Sequence, residues 1–161
     1  MNRGSGLVAR DSNLRVTNPE TRVTSDEPRT TKGYNMKVKD YKELKVWQKG
    51  IEIVDKVYTL TDKFPKSEIY GLTLQMRKAS VSIPSNIAEG YMRGHTNEYR
   101  QFLRISLGSC AELDTQSIIA NRRKYITNEE LDDLSEDLNH ESRMLMNLIN
   151  SLDKRQNTDK E

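Results

Sequence analysis

A chain of 161 residues with 34% hydrophobic content is the length of a single domain with one core. Its 26 Lys and Arg nearly balance 24 Asp and Glu, which excludes a uniformly basic nucleic-acid binder. No apolar run approaches the roughly 18 residues of a membrane span, no signal-peptide core opens the chain, and Cys110 stands alone, so a cytoplasmic protein with no membrane partner is expected.

The near-neutral total conceals segregation. Residues 63–104 hold seven bases and three acids, Arg122-Arg123-Lys124 adds three bases, and residues 128–141 hold seven acids with no Lys or Arg. On neighbouring helices such blocks make one basic and one acidic face. Residues 1–38 mix Asn, Ser, Thr, Gly and Pro without periodicity and are expected to be a disordered extension. Met36 within it is a candidate alternative start.

The first helix is expected from about Asp40 to Lys63, with Asp40 and Glu43 as a capping-box-like start. Leu44, Trp47, Ile51, Val54 and Tyr58 recur at steps of three and four and read as its bundle seam. Val46, Ile53, Val57 and Leu60 form a second row, assigned to a subunit contact because one core cannot bury both. Pro65 ends this helix and Ser67 caps the next. In the second helix Ile69, Leu72, Met76, Ala79, Ile83 and Ile87 are the core stripe. Tyr70, Leu74 and Val81 again form a second row, expected at the same subunit contact.

The second helix contains "SIPSNIAEG". Proline inside a helix removes a backbone hydrogen bond, here at the carbonyl of Ser80, and bends the chain. Ser82, Pro84, Ser85 and Asn86 are therefore read as a structural kink healed by polar neighbours. A serine nucleophile would need a base, and the only histidines, His95 and His140, sit before a helix cap and within the acidic run. No catalytic residue is assigned, and a cryptic hydrolase stays a distant third reading.

Thr96 caps the third helix, which runs to about Lys124 with Tyr99, Phe102, Cys110, Leu113 and Ala120 facing the core. Thr127 and Glu130 form a capping box for the fourth, whose seam is Leu131, Leu134, Leu138, Leu145, Leu148 and Leu152. Glu141 falls on that stripe and requires a partner or a shift of register. The pattern predicts an all-α, antiparallel up-down-up-down four-helix bundle over 39–153, with a proline kink in its second helix and a flexible tail over 154–161. Neither zinc spacing nor a phosphate-binding glycine loop is present, so no metal or cofactor is expected.

The basic residues Arg77, Lys78, Arg93, Arg100, Arg104, Arg122, Arg123 and Lys124 admit two readings, a solvated surface or a phosphate-binding patch. The acidic run reads as a solvated face.

At "YKELKVWQKG", "FPKSEIYGLTLQMRKASVSIPSNIAEGY" and "EYRQFLRISLGSCAELDTQ" the chain resembles the four-helix-bundle proteins named for intervening sequences of bacterial 23S rRNA, over about Tyr41 to Leu152. The resemblance implies an antiparallel bundle assembled as a homopentamer, and kinship with the accessory bundle protein of diversity-generating retroelements, which partners a reverse transcriptase and nucleic acid. It implies a non-enzymatic role with association to RNA or to a nucleic-acid-processing protein; the alternative is a protein-interaction scaffold. Met92, and Arg123-Lys124 before Tyr125, depart from the glycines that relatives place there.

Overall fold

The computed structural model describes residues 39–158, with side chains as far as Lys154. The expectations for residues 1–38 lie outside the described residues. Among those described there are four α-helices and no strand: α1 (Lys45–Thr61), α2 (Leu72–Arg93), α3 (Thr96–Arg122) and α4 (Asn128–Thr158). Each helix packs on two others, α1 and α3 both lying against α2 and α4. Pairings descend one helix as they climb its neighbour. Gly50 meets Pro84 while Thr61 meets Arg77. Ser106 bonds Ile83 while Phe102 crowds Gly90. Lys49 reaches Asp137 while Lys63 reaches Glu130, and Ser135 bonds Asp114 while Asp153 pairs with Arg100.

Local chemistry sets the helix ends. Asp40 caps a single 3-10 turn, Tyr41–Glu43, by accepting from the Lys42 amide at 3.0 Å, and extended Leu44 separates this turn from α1. A second 3-10 turn, Lys66–Glu68, follows Pro65, so α2 begins later than Ser67; Gly71 has no side chain to cap it, and the Glu68 carboxylate accepts from the Leu72 amide at 3.0 Å instead. Gly94 ends α2 in the left-handed region at φ 71°. Thr127 and Glu130 do form a capping box, the Thr127 amide donating to Glu130 at 2.9 Å and the Glu130 amide to Thr127 Oγ1 at 3.2 Å. α4 continues to Thr158, past the expected start of a tail at residue 154.

The end of α3 takes a form that usually requires glycine. The Tyr125 amide donates to the Ala120 carbonyl at 2.9 Å and the Lys124 amide to that of Asn121 at 2.8 Å, the paired closure of a Schellman motif. Lys124 occupies its left-handed position with φ 62°. A Cβ there is crowded by the following carbonyl, so this lysine strains the turn.

The core corrects the two apolar rows of α1. Val46, Ile53, Val57 and Leu60 are buried inside this chain, Ile53 completely. They face the axis together with Gly50, and so are not a subunit contact. Trp47, Ile51 and Val54 are half-buried and Tyr58 is exposed. The physical reason is angular. At about 100° per residue, the polar positions Glu52, Asp55, Thr59 and Asp62 lie opposite the Val46 row and beside the Trp47 row. In α2 the core stripe is as expected from Met76 through Ile87, while Ile69 is exposed. In α3, Leu103 rather than Phe102 is the fully buried residue.

Pro84 is buried inside α2 with its ring against Gly50. Ser80 Oγ donates to the Arg77 carbonyl at 2.9 Å, so it does not satisfy its own freed carbonyl. Asn86 Nδ2 donates to the carbonyl and hydroxyl of Ser82 at 2.7 and 2.9 Å, and Ser109 Oγ lies 2.9 Å from Ser82 Oγ. Ser106 Oγ crosses from α3 to the Ile83 carbonyl at 2.9 Å. These bonds fasten α3 to the proline turn, while Ser85 stays exposed. At the start of α1, rings meet edge-on in a chain: Trp47 on Tyr41, Tyr41 on Tyr91, Tyr91 on Tyr99.

Candidate nucleic-acid interface and subunit contact

The eight basic residues divide by what holds them. Arg77 stacks on the Tyr58 ring and donates to Thr61 and Asp62 at 2.8 and 2.7 Å. Arg93 pairs with Glu89 at 2.7 Å and lies over Phe102. Arg100 pairs with Asp153 and donates to Asn97, tying α3 to α4. The Arg123 guanidinium is raised above its usual range chiefly by a hydrogen bond with Tyr125. Lys78, Arg104, Arg122 and Lys124 are exposed and hold no side-chain hydrogen bond or ion pair among the described residues. Arg122 and Lys124 line an open groove with Lys63, Glu129 and Glu130 at the α3–α4 turn; neither Lys78 nor Arg104 lines it, Arg104 lying well back along α3.

The acidic run is only partly solvated. Lys49 and Lys56 of α1 and Lys63 just past its end recur every seven residues and face α4. Lys49 bonds Asp137 at 2.6 Å, Lys56 pairs with both Asp133 and Asp137, and Lys63 bonds Glu130 at 2.6 Å. Burial pushes Asp137 up, but hydrogen bonds from Lys49 and Lys56 outweigh it and leave the carboxyl below its usual value. This ladder was missed in the sequence, although the seven-residue lysine repeat was there to be matched against the acids of residues 130–137.

Of the residues expected at a subunit contact, those of α1 are buried inside this chain and those of the second helical region are exposed. Tyr70, Leu74 and Val81 are 88%, 41% and 40% exposed. Tyr58, Leu74 and Val81 flank the α1–α2 seam, the first through its contact with Arg77.

Neither of the kink serines has a base: the side-chain partners of Ser82 are Asn86 and Ser109, and both histidines are exposed elsewhere. Among the described residues no three His, Cys, Asp or Glu side chains could hold a metal, and no helix is long and apolar enough to cross a membrane.

One acid has no counterpart. Glu141 of α4 is wholly buried, and neither carboxylate oxygen has a hydrogen-bond partner. Burial pushes its carboxyl up to about 8, against the pull of Lys49 and with some reinforcement from Glu52. Nearby Cys110 is buried too, and burial, then the Glu141 charge, pushes its thiol up to about 12.

The helices and their ring of contacts define an all-α bundle with polar seams and an exposed basic and apolar exterior. The model for the 23S rRNA-intervening sequence protein family matches residues 42–147, and the chain belongs to that family. A solved structure of a protein of unknown function, from the S23 ribosomal protein family of Bacteroides thetaiotaomicron, is similar with TM-score 0.61 and 21% identity, over 65% of this chain and 97% of that one. At that identity the likeness concerns the fold. No curated protein matches the chain.

Proposed function

We propose that this chain is a non-enzymatic bundle that self-associates, as a homopentamer, and binds RNA through phosphate contacts. The observation that carries the RNA reading is the set of unpartnered cations, Lys78, Arg104, Arg122 and Lys124; the rRNA-derived family name agrees with it. A cation already in an ion pair must break that pair to meet a phosphate, so Arg77, Arg93 and Arg100 serve the bundle first. Self-association is supported by exposed Tyr58, Leu74 and Val81 along one seam. Repetition of weak cationic sites around an oligomer would raise avidity for a long polyanion.

The test is fluorescence anisotropy with single-stranded and duplex RNA and DNA at two salt concentrations. It compares wild type with the triple variant Lys78→Glu, Arg104→Glu, Arg122→Glu. Binding should weaken with salt, and removing three phosphate contacts should lower the slope by about 2 for a single strand. The oligomer and its helicity should be unchanged. A wild type that fails to bind at low salt would leave the same apolar seam serving a protein-interaction scaffold. Recovery of a reverse transcriptase or another nucleic-acid-processing protein would identify that partner.

A further inference from the structure

Glu141 contradicts the rule that buried charges are paired. Its surroundings come from two neighbouring helices and its own. Lys49 and Glu52 act on it from α1, and Cys110 lies near it on α3. Asp137 and His140 precede it on α4. The one cation among them, Lys49, already donates to Asp137 and Glu52 at 2.6 and 3.2 Å, so its charge is shared before it reaches Glu141. As a neutral acid Glu141 lies in an apolar interior at modest cost. As a carboxylate it would sit there without a bond.

Two features of the fold determine how that conflict is relieved. The α1–α4 contact is the least extensive of the four that close the bundle, and the lysine ladder spans it at the surface. A surface groove lies over it at this level, lined by Lys49, Glu52, His140 and Met144, residues on either side of Glu141. Water entering from that groove has a short path to the carboxyl once the seam parts.

We propose that Glu141 is a proton-dependent latch: protonated, it lets α4 close on α1, and on giving its proton to solvent it draws water through the α1–α4 groove and opens the seam beside Cys110. The proton passes to bulk base and no covalent bond is made. The inference is independent of RNA binding.

Cys110 is a built-in reporter, because it is buried and is the only thiol in the chain. Its reaction with a neutral aromatic disulfide is measured at pH 7 and pH 9 on wild type, Glu141→Gln and Glu141→Leu. The thiolate fraction alone rises at most about tenfold per pH unit, so at most about 100-fold across this range. Wild type should exceed that ceiling, and both variants should stay within it. At pH 9 the variants should react more slowly than wild type, and amide exchange over the middle of α4, corrected for its intrinsic pH dependence, should fall with them. An electrostatic role alone predicts the reverse, since removing a neighbouring negative charge lowers the thiol pKa and speeds the reaction. Variants that react as fast as wild type or faster at pH 9, or a wild-type increase no larger than about 100-fold, would overturn the latch. Two variants of opposite polarity keep the test intact if one folds poorly.

Discussion

Gly90 of α2 and Phe102 of α3 approach so closely that no side chain fits between them. A Cβ built on Gly90 falls 2.6 Å from Phe102 Cβ and 2.9 Å from Tyr99 Cδ2. Gly108, in the same pair of helices, has nothing within 4 Å of the corresponding point. The two glycines therefore predict opposite responses to a methyl group. Gly90→Ala should destabilise by about 1–3 kcal/mol through overpacking, less up to about 1 kcal/mol recovered in helix propensity. Gly108→Ala should stabilise by up to about 1 kcal/mol. Urea midpoints of the two variants decide it; equal midpoints would mean that α2 and α3 are not packed at this distance.

The exchange of rows in α1 predicts which aspartates the fold survives. Ile53→Asp places a charge in the core and should abolish cooperative unfolding, because an unpaired buried charge costs more than a domain's margin of stability. Leu74→Asp and Val81→Asp lie at the surface and should leave the helical circular dichroism intact while reducing the oligomer. Light scattering on the folded variants checks the second half. A folded, monomeric Ile53→Asp would return that row to the subunit contact.

Lys124→Gly should raise stability by about 1 kcal/mol, since glycine takes the left-handed position without the Cβ penalty. Lys124→Ala keeps the penalty and should show no such gain. Thermal melts of the pair separate backbone strain from loss of the lysine charge, which both substitutions share.

Two carboxyls set opposite limbs of the pH profile. Asp137 is held below its usual value, so its stabilising effect is present at neutral pH and is lost as acid protonates it in the folded state. Asp137→Asn should therefore weaken the protein at pH 7 and matter progressively less below about pH 3. Glu141 is the reverse. Its folded value of about 8 stands above the ordinary 4.5, so stability is full below 4.5 and falls as pH rises toward 8. The slope is roughly 1.4 kcal/mol per pH unit and the total on the order of 5 kcal/mol. Glu141→Leu should flatten this limb and stabilise the protein at pH 8. Denaturant midpoints from pH 3 to 9 on both variants measure the two effects; a wild type with no alkaline loss would refute the second.

The helices were legible because each carried an apolar repeat, with boundaries set by residues that have a physical reason to sit there, such as Pro65 and Thr127 with Glu130. Their exact starts were not. Ser67 has the chemistry of a cap, but Glu68 reaches forward to the Leu72 amide and takes that role across a glycine. The core face of α1 was misread because both apolar rows have the same spacing; only the position of Glu52, Asp55, Thr59 and Asp62 opposite one of them distinguishes the two. The basic set was legible as a list and illegible as a site. Pairings such as Arg100 with Asp153 join residues far apart in sequence, and only the folded chain reveals which cations are left over.

The edge-on rings at the start of α1 also give the protein its own optical probe. Trp47 is the only tryptophan in the chain, and its nearest ring, Tyr41, belongs to the turn that docks before α1. Tyr41 in turn meets Tyr91 near the end of α2, and Tyr91 meets Tyr99 in α3. Energy absorbed by these tyrosines passes to the indole through space, with an efficiency that falls steeply as the rings separate. Emission excited through tyrosine therefore reports whether three separate segments remain assembled at this end of the bundle. The α3–α4 turn and its basic groove, at the far end of α1, can thus be mutated without altering the rings that give the signal.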